Sequence, residues 1–179
     1  MPKVVSVSKC AEHNFSKSVV DSILLIEGEG VEGDAHRGKT VKHRSRVKVD
    51  PTQPNLRQVH LLHNELFAEL DAKGFEVEPA SLGENITTSG IDLLGLPKDT
   101  VIRFSSGAEV LITGLRNPCP QIEGYQTGLL SAVLGKDNSG KLIRKAGVMG
   151  VVKVGGRVSS GDSIVVELPE EPFQPLKRV

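Results

Sequence analysis

Cys119 is the residue best placed to do chemistry. It lies in Arg116-Asn117-Pro118-Cys119-Pro120-Gln121, directly after the strand-like run Glu109 to Gly114. Proline on both sides removes two backbone donors and stiffens the turn. Arg116 and Gln121 bring a cation and an amide close to the thiol. A guanidinium nearby favours thiolate over thiol, and thiolate is the form that binds metals or carries sulfur. The same cysteine could serve as a small buried hydrophobe, and its local sequence leaves both readings open.

A second candidate is Gly33-Asp34-Ala35-His36. Histidine titrates near neutrality, so Asp34 and His36 could form an acid/base pair or orient a ligand oxygen. They could equally make a plain loop turn, with Asp34 bonded to the backbone. Cys10, His60 and His63 lack the spacing of a closed zinc site, and His60 falls in a strand, so they read as packing residues.

Charge is balanced overall but uneven in place. From Arg37 to Arg57, seven cations (Arg37, Lys39, Lys42, Arg44, Arg46, Lys48 and Arg57) stand against the single acid Asp50. Such a block attracts anions, although a solvated loop explains it as well. The segment 37–53 is expected to be a long mobile loop that partly covers the site. Nucleic acid is a poor fit as a partner and none is expected, because the chain has no Trp and one Tyr to stack on bases. No apolar run approaches the length of a membrane span, and the N-terminus lacks the apolar core of a signal peptide. Two cysteines are too few for a disulfide framework, so a reducing, cytoplasmic setting is expected.

The elements that must position these residues are mostly strands. Lys3–Ser8, Ser22–Ile26, Arg57–Leu62, Val101–Phe104, Ala108–Ile112, Gly147–Val154 and Ser163–Glu167 carry β-branched or alternating patterns. Ser105-Ser106-Gly107 marks a hairpin. Asn64 is the expected cap of a helix running to about Lys73, with Leu66, Phe67 and Leu70 on one face and Gly74 as its stop. A short helix is expected over Gly128–Leu134. Many short strands with glycine turns argue for a mainly β fold, a barrel with a few short helices. At 179 residues the chain suits one domain, 1–168, followed by a proline-rich extended tail, 169–179.

The ordered set Gly33-Asp34-x-His36, Arg57-Gln58-Val59, Gly83-Glu84-Asn85, Gly114-Leu115-Arg116-x-Pro118-Cys119-x-Gln121, Arg144-Lys145-Ala146-Gly147-Val148-Met149-Gly150 and Gly161-Asp162 resembles the MOSC domain. That domain ends the molybdenum cofactor sulfurases and also occurs free-standing. The resemblance implies a MOSC-type β-barrel and molybdenum–sulfur chemistry. Catalytic members hold a molybdenum cofactor with the cysteine as metal ligand; others move sulfur on it. Carried over, Cys119 becomes the molybdenum ligand, with His36 and Asp34 beside it. Arg57, Arg116 and Arg144 could pair with the molybdopterin phosphate. Gly83 and Gly147 would allow close backbone approach, while Glu84, Asn85 and Gln121 offer polar atoms to a heterocycle. Fused relatives bind pyridoxal phosphate in an extra domain for which this chain is too short, so that cofactor is not expected. Nor does the chain carry the iron–sulfur or flavin domains that deliver electrons in some relatives. A reductase would therefore take them from a separate donor protein.

Three functions follow as expectations. The first is a molybdoenzyme reducing a small N-hydroxylated substrate. The second is a sulfur carrier using a Cys119 persulfide in metal–sulfur cofactor maturation. The third is a non-catalytic module that binds or delivers the cofactor.

Overall fold

The computed structural model describes residues 1–40 and 44–179, and side chains outside 41–46. Among the described residues thirteen strands and four short α-helices follow in order: β1 (Lys3–Lys9), β2 (Ser18–Val20), β3 (Ser22–Ile26), β4 (Gly30–Val31), α1 (Arg44–Val49), β5 (Val59–His63), α2 (Glu65–Ala72), β6 (Ile86–Ser89), β7 (Val101–Phe104), β8 (Glu109–Leu115), α3 (Gln121–Tyr125), α4 (Leu129–Ala132), β9 (Leu134–Lys136), β10 (Leu142–Arg144), β11 (Val148–Val154), β12 (Gly156–Ser159) and β13 (Ile164–Glu167). The fold is mainly β, as the strand patterns imply.

The largest sheet has eight strands in the order β13-β7-β8-β11-β5-β6-β1-β2. Its pairs are antiparallel except β5 with β6. Among the described residues no sheet closes on itself. The β13 end does approach β1 through a lone Lys3–Ser163 bridge and bonds such as Ile164 N–H to Pro2 O. A three-stranded sheet, β12-β3-β4, and a small β9–β10 hairpin complete the strands.

Strand alternation sorts the interior into two apolar clusters. Val7, Ile86, Leu61 and Val148 face the main cluster, which also takes Ile23, Leu25 and Val158 from the three-stranded sheet. Leu62, one residue on from Leu61, faces the other way. It packs with Leu66 and Leu70 of α2, Ile122 of α3 and Leu129 of α4. Cys119 lies at the margin of this second cluster.

Several local expectations are corrected. Asn64 has helical geometry and its side chain makes no cap bond; its amide is already engaged with Thr88 O, so it continues the strand exit. Gly74 does end α2, at φ 87°, with Phe75 N–H closing on Leu70 O. The basic stretch is not wholly loop: Arg44–Val49 is helical. The expected mobility of 37–53 includes residues 41–43, which lie outside the described residues. The C-terminal tail doubles back on the domain. Lys177 O accepts from Leu115 N–H, Val179 N–H donates to Leu115 O, and Leu176 packs against the main cluster.

Candidate functional site

One row of paired residues crosses the large sheet: Val7 with Ile86, Ile86 with Leu61, Leu61 with Val148, and Val148 with Leu115. These side chains turn toward the main core. Their chain neighbours Asn85, His60, Met149 and Arg116 therefore turn to the opposite face. There they line a cavity of about 590 Å³. Its walls are the loop after β1 (His13, Asn14, Phe15 and Lys17), His36, Arg57, Gly83, and the turn Asn117 to Gln121 with Cys119.

Strand β8 ends at Leu115, and Arg116 N–H donates to Gly147 O, which fixes where the turn departs. The Arg116 side chain is buried, with Nη1 donating to Leu82 O at 2.8 Å and its guanidinium 5.9 Å from the Phe15 ring centre. Nη2 lies 3.9 Å from Cys119 Sγ. Burial pushes Arg116 below its ordinary value, and the charges of Cys119 and Glu84 oppose that shift. Cys119 Sγ is also 3.7 Å from Gln121 Oε1. The half-buried thiol is thus held between a cation and an amide. Ile122 anchors the turn from the far side, its N–H bonded to Cys119 O.

Asp34 lies behind the wall rather than in it. Its carboxylate is fully buried and accepts from Lys17 Nζ at 2.6 Å, Cys10 N–H at 3.0 Å, Asn85 Nδ2 at 3.3 Å and His36 N–H at 3.2 Å. Burial alone would raise its pKa. The His36 ring beside it, the charge and hydrogen bond of Lys17, and the Cys10 amide outweigh burial and hold the carboxyl well below the usual range. Asn85 ties the floor together: its Oδ1 accepts from His60 N–H, and its Nδ2 reaches Ser8 O as well as Asp34.

Of the residues singled out in the sequence, Cys119, His36, Arg57, Gly83, Asn85, Arg116 and Gln121 line the cavity. Asp34, Glu84, Arg144 and Gly147 do not. Glu84 is fully buried, its Oε1 accepting from Ala80 N–H and Thr87 Oγ1, and burial raises its carboxyl. Arg144 sits on β10 with Nε 3.4 Å from Asn117 Oδ1, one residue removed from the wall. A side chain on Gly147 would collide with Leu61 O and the His60 ring. Its close approach serves strand packing. Gly83, at φ 84°, has no room for a Cβ beside Phe15 O; its bareness lets the 13–17 loop dock.

Lys17, Phe15 and His60 line the cavity without being among the candidate site residues, and Met149 joins them from the Arg144–Gly150 motif. Lys17 and Phe15 carry no local signal, because they arrive on a loop. His60 had one: a polar residue inside the apolar run Val59-His60-Leu61-Leu62. Burial and the nearby Arg116 push His60 well below the ordinary histidine value, against the pull of its Ala146 O contact at 2.7 Å. It is a neutral member of the floor.

The MOSC domain family model matches residues 35–165 of this chain. The chain belongs to the MOSC domain family. A Bacillus subtilis (strain 168) relative, YuaD, is 32% identical over 154 residues, covering 76% of each chain, and its name suggests a part in metal-sulfur cluster biosynthesis. The crystal structure of YuaD superposes with a TM-score of 0.77 at 29% identity, covering 95% of this chain and 98% of YuaD. Escherichia coli YiiM shares the fold, with a TM-score of 0.63 at 18% identity over 96% of this chain and 73% of that one. No helix among the described residues of this MOSC chain is long and apolar enough to cross a membrane.

Proposed function

We propose that this MOSC protein binds a molybdenum cofactor in the cavity, with Cys119 as the protein's metal ligand. The observation that carries the reading is the lining itself. Among the described residues it includes Lys17, Arg57, Arg116 and one thiol, and no carboxylate. A volume near 590 Å³ is that of a small-molecule site and far exceeds a bare ion. Among the described residues no group of three His, Cys, Asp or Glu side chains could hold a metal. A metal at Cys119 would therefore bring its other ligands with it, and a soft thiolate suits a molybdenum–sulfur centre. The residues present fit a pterin dithiolene: Arg57 and Arg116 bring cations for its phosphate, and Gln121 and Asn117 bring polar atoms for its ring.

The bound metal would supply two-electron redox chemistry, and reduction of a small N-hydroxylated substrate is the reaction we favour. The chain's part is to bind and orient. Cys119 holds the metal, Arg116 and Gln121 fix the thiol, and His36 faces the remaining space. A separate protein would donate electrons. Residues 1–168 would act as one unit, in a reducing cytoplasmic setting. A barrel-like closure of the large sheet between β13 and β1 belongs to the same reading.

A second reading, sulfur carriage, is favoured by the thiol that lines the cavity and by the name of YuaD. The Cys119 thiolate would attack the terminal sulfur of a donor persulfide, forming Cys119–S–SH and releasing the donor as a thiol. Molybdenum and pterin analysis of protein from a molybdenum-replete host separates the two. The first reading expects bound molybdenum that Cys119→Ser removes while the fold stays intact. Metal-free wild-type protein that gains one sulfur's mass on Cys119 from a persulfide donor would overturn it in favour of the second.

A further inference from the structure

We propose that Lys17 sets the tautomer of His36, so that the ring offers its Nε2–H to an oxygen atom of the ligand in the cavity. Lys17 is buried, with 4% of its side chain exposed, and so is Asp34 at 0%. The ammonium has three N–H groups to satisfy. Among the described residues its polar partners are Asp34 Oδ1 at 2.6 Å and His36 Nδ1 at 3.4 Å.

His36 Nδ1 has two options. It can accept from Lys17, or carry a proton and donate to Asp34 Oδ2 at 3.5 Å. Both contacts are long, so distance does not choose between them. Demand does. The Asp34 carboxylate already receives Cys10 N–H, Lys17 Nζ, Asn85 Nδ2 and His36 N–H. Lys17 is short of acceptors, and a buried charged donor left without one costs more than a spare lone pair on a carboxylate with four donors. Nδ1 therefore accepts, and the ring carries its proton on Nε2.

The side chain of His36 is 32% exposed, and its Nδ1 edge is turned to the buried pair. His36 lines the cavity, and the edge opposite Nδ1, which carries Nε2, is the one left to meet a ligand there. His13 packs edge-on at 5.4 Å between ring centres and limits rotation. The cavity thus receives an N–H donor suited to a phosphate or N–O oxygen, and Lys17 is a positioning residue that acts through it. The inference needs only the cavity, not the metal, so it can fail while the molybdenum reading stands, and the reverse.

Long-range proton–nitrogen NMR on histidine-labelled protein reads the tautomer directly. Wild type is expected to show His36 protonated at Nε2. Lys17→Met should move the proton to Nδ1, facing Asp34. Asp34→Asn, which keeps the lysine, should leave it on Nε2. With saturating inorganic phosphate the Nε2 signal should shift and its proton should exchange more slowly. An Nδ1-protonated ring in wild type overturns the proposal whether or not Lys17→Met folds. A switch in Asp34→Asn also overturns it, as does an Nε2 signal that phosphate leaves in place.

Discussion

Removing the charge of Asp34 tests the buried pair that underlies one wall of the cavity. Asp34→Asn keeps an oxygen for the Cys10 amide but leaves the Lys17 ammonium buried without its counter-charge. Breaking a buried ion pair from one side costs about 3–5 kcal/mol, because the surviving charge stays desolvated. With a urea m-value on the order of 2 kcal/mol/M, the midpoint should fall by roughly 2 M. A domain of this size loses about 2–4 °C of Tm per kcal/mol, so thermal unfolding should also drop by roughly 6–20 °C. The double variant Lys17→Met/Asp34→Asn removes both charges and should recover much of the loss. The cycle then isolates a coupling that single variants exaggerate.

The pH dependence carries a sign. The folded-state carboxyl of Asp34 is held below its unfolded value, so the unfolded chain binds more protons as pH falls. Its contribution is fully present above the unfolded pKa of about 4 and is lost as pH drops below it. The stability gap between wild type and Asp34→Asn should therefore narrow in acid. Urea titrations at neutral pH and in steps below about pH 4 measure it. A midpoint change of less than about 0.3 M at neutral pH, or a gap that widens in acid, would refute the reasoning.

Other substitutions probe other links. Cys119→Ser should leave the urea midpoint within about 0.5 kcal/mol of wild type, since the half-buried thiol only fringes the second apolar cluster, while abolishing thiol-dependent metal or sulfur loading; intact loading would remove the cysteine from the mechanism. Gly83→Ala places a Cβ against Phe15 O at a positive φ and should cost about 1–2 kcal/mol while displacing Phe15 and Lys17, seen as altered amide shifts over 13–17. Truncation after Leu168 removes Leu176 from the core and the Lys177 and Val179 bonds to Leu115; it should lower stability by about 2–4 kcal/mol, and an unchanged unfolding curve would mean that the tail is only draped on the surface.

The strands that carry the site were legible where side chains alternate. Leu61 and Leu62 go to different clusters, as period two requires, and the same alternation puts His60 on the cavity face. Zinc-site spacing, which His60 lacks, says nothing of a histidine that serves a cavity floor. Helix α3 escaped notice because five residues show no helical period and the prolines beside Cys119 read as a stiff turn. The β9–β10 hairpin is three residues a side and offers little pattern either. Nothing local to Lys17 or Phe15 announces a wall of the site. Their placement comes from the loop docking on the Gly83 turn, through Ser16 Oγ to Ser81 O and Lys17 N–H to Ala80 O.

That docking explains why motifs far apart in the chain behave as one unit. Gly83 leaves room for the loop, and the loop delivers Lys17 to Asp34 and His36. Asn85, two residues after Gly83, bonds the same Asp34 and the strand bearing His60. Phe15, on that loop, covers the Arg116 guanidinium, which stands 3.9 Å from the thiol. A disturbance at Gly83 therefore reaches Cys119 through Phe15 and Arg116. The structure therefore ties the acid–histidine–lysine cluster and the cysteine turn to a single cavity, and a ligand that bridges them would stabilise both.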